Sequence, residues 1–275
     1  MKKRLFILIL LLTPVASFAQ RKMIYQRVQQ IGVSSHHYYY KYTHFENGEK
    51  EQVPMILQVG LDMQRFGCVR TFFEDSLALV FENKPQDTKV IMKKVAEIGA
   101  KEECLDEVSW RLHLNYPKGK RSITDRIFMD RYLTEEADDL PTWTLADEEK
   151  TIFGYKCMKA TTTLYGRIWT AWYAQEISRT DGPWLLRGLP GVVVMAEDES
   201  GKFRFELQRI EHRETPILYQ IKDYIKADRN SVLKQKQKFF KNRGQFMMGT
   251  AVGAQTPGLS STKEEPYNPI RKIQD

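Results

Sequence analysis

The chain has only three cysteines in 275 residues. Cys68, Cys104 and Cys157 are too few for a disulfide scaffold, and no pair has metal-ligand spacing. The odd count leaves two arrangements open: one bridge among the three with a thiol left over, or three buried unpaired thiols. Histidines number five. His36, His37 and His44 form the one cluster, but neighbours along a strand point to opposite faces and no carboxylate stands at matching spacing, so no metal is expected. His113 falls on the polar side of an alternating strand and should face water. No serine sits in a Gly-x-Ser-x-Gly elbow, and no glycine-rich loop leads into a helix with a phosphate-binding lysine, so no cofactor is expected. The carboxylate pairs Asp138–Asp139, Glu148–Glu149 and Asp198–Glu199 all sit in turn-like stretches without a neighbouring nucleophile.

Long apolar runs are also lacking. The exception is Leu5 to Leu12, preceded by Lys2, Lys3 and Arg4 and followed by small residues ending at Ala19. That order is a secretory signal with cleavage between Ala19 and Gln20, and the run is too short to span a bilayer. Residues 1–19 are therefore expected to be removed, with no transmembrane segment in the mature chain. Losing three basic residues lowers the formal net charge from +7 to +4, and an exported chain meets no nucleic acid. The remaining charge suits solubility rather than a polyanionic partner. The compartment expected is the periplasm or outer-membrane surface, with secretion as an alternative.

What is present is strand. Trp110 to Tyr116 (WRLHLNY) alternates apolar and polar residues, PKGK turns the chain, and Ile123 to Leu133 reads as the returning strand. From Pro141 onward, Ile152–Tyr155, Cys157–Tyr165, Arg167–Ala174, Val192–Glu197 and Lys202–Ile210 follow one another, separated by glycine or proline punctuation. Strands at such regular spacing mark an antiparallel unit. In KFRFEL, Phe203, Phe205 and Leu207 share one face and Lys202, Arg204 and Glu206 the other. Thr71–Asn83 reads as a short helix, and Lys84–Gly99 as a second short helix or a helix-to-strand passage. Asp228–Arg243 reads as a surface helix capped by Asp228 or Asn230 and stopped by Gly244. The expected fold is mainly β: a curved antiparallel sheet or partial barrel with a C-terminal surface helix. Residues 20–243 are expected to form one domain, and 244–275 a loosely ordered tail.

Within about 127–210, an ordered series of short stretches stands out: Trp143 and Glu149, IFGYKC (Ile152–Cys157), Ala160, Gly166–Arg167, AWY (Ala171–Tyr173), Glu176–Ile177, Gly182–Pro183 and GLPG (Gly188, Leu189, Pro190, Gly191), with NPI at Asn268–Ile270. This series resembles the GLPGLI family of exported proteins of Bacteroidota, also called the Porphyromonas-type family. Val192 and Val193 replace the family's Leu-Ile, Ser178 replaces a proline, and Arg271–Lys272 replace Glu-Leu. The resemblance implies export and no particular activity.

Physically, RGLPGVVV feeds a β-branched run rather than a helix, which favours a type II turn over Leu189–Val192 and a structural role for Gly182, Pro183 and Gly188–Gly191. Cys157 lies inside a strand, as core or bridge rather than nucleophile. The aromatic concentration is the most suggestive feature. Trp169 and Tyr173 share one face of their strand and Trp172 the other, so Trp169, Trp172, Tyr173 and Trp184 are either core or a binding face. These readings point to an exported envelope protein that binds an apolar ligand or another envelope protein without catalysis, in an undetermined oligomeric state. A hydrolase using carboxylates or histidine, and a purely structural envelope component, are the alternatives.

Overall fold

The computed structural model describes residues 22–46, 49–101, 108–242 and 269–272. The signal segment with the Ala19–Gln20 cleavage position, Cys104, Gly244 and most of the tail lie outside those residues.

Twelve strands form one sheet, with a two-stranded pair, β1 (Lys22–Met23) and β5 (Gln86–Asp87), beside it. In chain order the large sheet holds β2 (Arg27–Glu46), β3 (Glu49–Gly60), β4 (Gln64–Cys68), β6 (Arg111–Leu114), β7 (Lys120–Ile127) and β8 (Asp130–Ala137). It continues with β9 (Thr144–Ile152), β10 (Tyr155–Leu164), β11 (Arg167–Ala174), β12 (Val192–Asp198), β13 (Phe203–Ile221) and β14 (Ile225–Lys226). Across the sheet the order is β14-β8-β7-β6-β4-β3-β2-β13-β12-β11-β10-β9. All neighbours are antiparallel except the short parallel pair β14–β8. The sheet is mainly antiparallel, as its sequence spacing predicts, and it is not closed.

It is nevertheless curled. Tyr165, in the turn between β10 and β11, donates to Glu136 on β8 at 2.6 Å and accepts from Arg121 on β7 at 2.5 Å. Those elements stand near opposite ends of the strand order, so the sheet wraps around its core and side chains bridge the gap. The edge strand β9 is almost wholly exposed and reads TLADEEKTI. Its charges discourage pairing with another chain.

One sheet face carries the main core, with Tyr38, Tyr40, Phe66, Leu112, Trp169 and Phe205 all at 2% exposure or less. The other face is covered by α1 (Val69–Val80), against which α2 (Thr88–Lys101) packs. Between α1 and the sheet, Val69 and Phe72 of the helix meet Tyr39 and Ile56 in one cluster, and Ala78 meets Val28 and Leu218 in another. A third helix, α3 (Arg229–Lys241), crosses β7 and β8 on the core face through Val232 and Leu233. It begins where the sequence predicts, with the Asp228 carboxylate accepting from the Ser231 backbone N–H at 3.0 Å.

Two strand readings need correction. Ile123–Leu133 is two strands, because Phe128 at φ 55° turns the chain between Ile127 and its partner Asp130. Ile152–Tyr155 is not a strand but a hairpin turn, with Phe153 and Gly154 both at positive φ as a type I′ turn requires. Beyond α3, Pro269–Lys272 lie against the sheet, with Arg167 donating to the carbonyls of Pro269 at 2.7 Å and Ile270 at 3.1 Å.

Candidate functional site

The glycine-proline stretch is a fastening. The Gly188 N–H donates to the Thr180 carbonyl at 2.8 Å and the Val193 N–H to the Asp181 carbonyl at 3.0 Å, stitching the loop into β12. The expected type II turn is replaced by a tighter one: the Gly191 N–H donates to the Leu189 carbonyl at 2.8 Å, closing a three-residue γ-type turn around Pro190. The glycines answer to space. A Cβ on Gly182, beside Pro183, would lie 1.9 Å from the Leu186 carbonyl oxygen, and one on Gly191 would lie 2.4 Å from the Ala174 oxygen. Trp143 donates from Nε1 to the Arg187 carbonyl at 2.9 Å, and Arg187 pairs with Asp138 at 2.6 Å. The Gly166–Arg167 step holds Pro269 and Ile270, so several stretches of the family-like series touch one another.

The proposed binding-face aromatics divide by strand parity. Trp169, Tyr173 and Trp184 are core, with the Trp169 ring 5.6 Å from Trp184 and 6.1 Å from Phe205. All three are at 2% exposure or less, and Trp184 also lines the larger cavity described below. Trp172 points to the other face, half-buried, with the Lys150 ammonium 5.7 Å from its ring centroid. Cys68 and Cys157 are free buried thiols, so neither bridges the other. Burial pushes the Cys157 thiol up to about 11.

His113 does not face water. It is buried, donates from Nε2 to the Leu218 carbonyl at 3.2 Å, and is driven down to about 3 by burial and the nearby Arg65. Alternation on β6 is correct, but both faces are covered. His37 is buried too, sharing hydrogen bonds with Ser34 at 3.0 Å and Thr215 at 2.8 Å, and burial lowers it to about 4. Among the described residues, no three His, Cys, Asp or Glu side chains gather as a metal site. The carboxylate pairs stay apart: Asp138 holds Arg187, Glu148 holds Lys159, Glu149 holds Lys156, and Asp198 accepts from Arg167 and from the backbone of Lys202 and Phe203.

Among the described residues, two cavities stand out beside the core. The larger, about 390 Å³, lies between α3, β6, β7, the end of β2 and residues 269–271. Its wall is aromatic, with Tyr42, Phe45, Trp110, Phe128, Phe239 and Phe240. Its polar corner is Asp125, to which Lys236 pairs at 2.7 Å while also donating to Ser109 at 3.0 Å. The smaller, about 240 Å³, is lined by polar residues including Arg111, Thr124, Arg131 and Lys222. Sequence reasoning misses both, because each wall is assembled from strands and loops far apart in the chain. Only the aromatic richness of the sequence hints at the first.

No family model matches the chain, and no curated protein matches it. Among solved structures, two of PNGF-II are similar. One, in space group P21, is 14% identical with a TM-score of 0.45 and aligns over 76% of this chain and 34% of that one. The other, in space group C2, is 15% identical with a TM-score of 0.44, over 74% and 33%. This chain thus spans about a third of the length of those proteins, and a likeness of that size says nothing of what it does.

Proposed function

We propose that this chain is an exported envelope protein of the GLPGLI type that holds an apolar ligand without transforming it. The observation that carries this reading is the aromatic cavity under α3. Its 390 Å³ falls at the small end of the roughly 300–1,000 Å³ range of ligand sites, enough for one slender chain or a small ring system. The contacts among Trp143, Arg167, the Gly182–Gly191 loop and Pro269–Ile270 support the family reading, since they give those stretches a shared mechanical reason to occur together.

A hydrolase is the second reading, and Ser109 with Lys236 is the cluster that would serve it. There the lysine donates to the serine and pairs with Asp125. A general base must accept that proton, so the arrangement favours a structural tie over an activated nucleophile.

The test is a fluorescence titration of the full chain with the neutral apolar probe N-phenyl-1-naphthylamine. Saturable binding is expected, weakened at least tenfold by Leu233→Trp, which fills the cavity, and untouched by Ser109→Ala. No saturable binding, or binding indifferent to a filled cavity, would overturn the proposal.

A further inference from the structure

The smaller cavity differs from the aromatic one in charge and in the sheet face it uses. Arg111 pairs in register with Thr124 and Leu112 with Ile123. Alternation therefore sends Leu112 and Ile123 into the aromatic groove and Arg111 and Thr124 to the opposite face. Around this second hollow stand Arg111 from β6, Arg131 from β8 and Lys222 from the link between β13 and β14.

The acids nearby are already matched. Asp75 accepts from Arg65 at 2.6 Å and from Gln220 at 2.8 Å, Glu74 from Arg70 at 3.0 Å, and Asp125 from Lys236 at 2.7 Å. Arg111 comes no nearer to Asp75 than 3.8 Å, and its buried Nε has no hydrogen-bond partner among the described residues. Arg131 and Lys222 have no ion pair among the described residues. Burial, then the charges of Arg131 and Arg111, hold the Lys222 ammonium below its ordinary range. Arg111, Arg131 and Lys222, with Arg126 also on the lining, thus border one space whose two lining acids, Glu74 and Asp125, already pair with Arg70 and Lys236, and an anion would offset the remaining positive charge.

We propose that this cavity binds a phosphate group through Arg111, Arg131 and Lys222. The cations approach from three separate segments, which suits the several oxygens of a tetrahedral group better than a planar carboxylate. Thr124 on the wall supplies a neutral donor. This site stands apart from the apolar-groove reading, yet the two cavities share Val108, Ser109, Asp125 and Arg126 as lining residues. The same phosphate site therefore serves either a soluble phosphate monoester or the head of an amphiphile whose chain enters the groove.

Calorimetric titration of the full chain with glycerol phosphate and with octyl phosphate, at fixed ionic strength, tests the proposal. Both are expected to bind saturably, and Arg131→Ala and Lys222→Gln are each expected to weaken glycerol phosphate at least tenfold. Without ligand, Lys222→Gln is expected to raise Tm, whereas a lysine with a structural role would lower it on removal. Octyl phosphate binding tenfold tighter and displacing the naphthylamine probe identifies the amphiphile. Equal affinities without displacement identify the soluble ester. No saturable heat with either phosphate, or affinities unchanged in both variants, would sink the phosphate site, while naphthylamine binding to Lys222→Gln reports on the apolar groove separately.

Discussion

The region built from β9 to β13 and the region built from β6 to β8 with α3 share one sheet and solve its burial in opposite ways. In the first, Trp169, Trp184 and the Leu185–Leu189 loop are packed to 3% exposure or less except at Arg187 and Gly188, and Gly182 and Gly191 let backbones approach to distances no side chain tolerates. In the second, α3 rests on a few contacts and leaves the aromatic cavity beneath it. The region with the recognisable sequence series is the solid one. The region that offers room to a ligand has the less recognisable sequence, which teaches that a signature can record how a scaffold is fastened rather than what it holds.

The sharpest way to break this contrast is at Gly182. With a carbonyl oxygen at 1.9 Å from the new Cβ, Gly182→Ala is expected to destabilise by more than about 4 kcal/mol or to prevent folding, read from the urea midpoint. A cost near 1 kcal/mol would show the loop to be yielding. Next come equal truncations in the two regions: Leu186→Ala about 4 kcal/mol, Leu233→Ala nearer 2.5, since the latter already borders empty space. Identical losses would erase the distinction between filled and hollow.

Acid provides a third probe. The folded pKa values of His37 and His113 are depressed to about 4 and about 3 from the ordinary 6.5. The unfolded chain therefore binds protons first as pH falls. Stability is full above about 6.5 and is lost on acidification toward 4, at up to about 1.4 kcal/mol per pH unit for each histidine. Urea midpoints measured between pH 7 and 5 should fall, and should fall less in His37→Gln. The smallest effect belongs to Trp172→Ala, about 1 kcal/mol, because Trp172 is only half-buried at the margin of the core, with a cation–π contact to Lys150. A loss matching that of a core tryptophan would mean the outer face is covered.

Much of the sheet could be read from local pattern. Arg167–Ala174 has the bounds its alternation predicts, KFRFEL buries Phe203, Phe205 and Leu207, and Asp228 caps α3. Where reading failed, a distant element decided. His113 obeys its alternation, yet a covered second face buries it. Phe128 carries no turn signal, and only its positive φ divides β7 from β8. The cavities are hardest of all, since Tyr42, Trp110, Phe239 and Ile270 become neighbours only when the sheet has curled. Arg111, Arg131 and Lys222 of the smaller hollow come from three distant stretches, and no local window contains them.

The pairing of β2 with β13 has a further consequence, in time rather than in space. The two longest strands join residues 27–44 to 203–221, and every strand on either side depends on that seam to become one sheet. Ladders closed over such sequence separations must overcome loop entropy before they are rewarded, and chains that rely on them fold slowly. Until the seam forms, β2 can pair with β3 alone and presents its other edge, rich in tyrosine, to any strand that comes near. The interval before closure, more than the finished structure, is when this chain is exposed to aggregation.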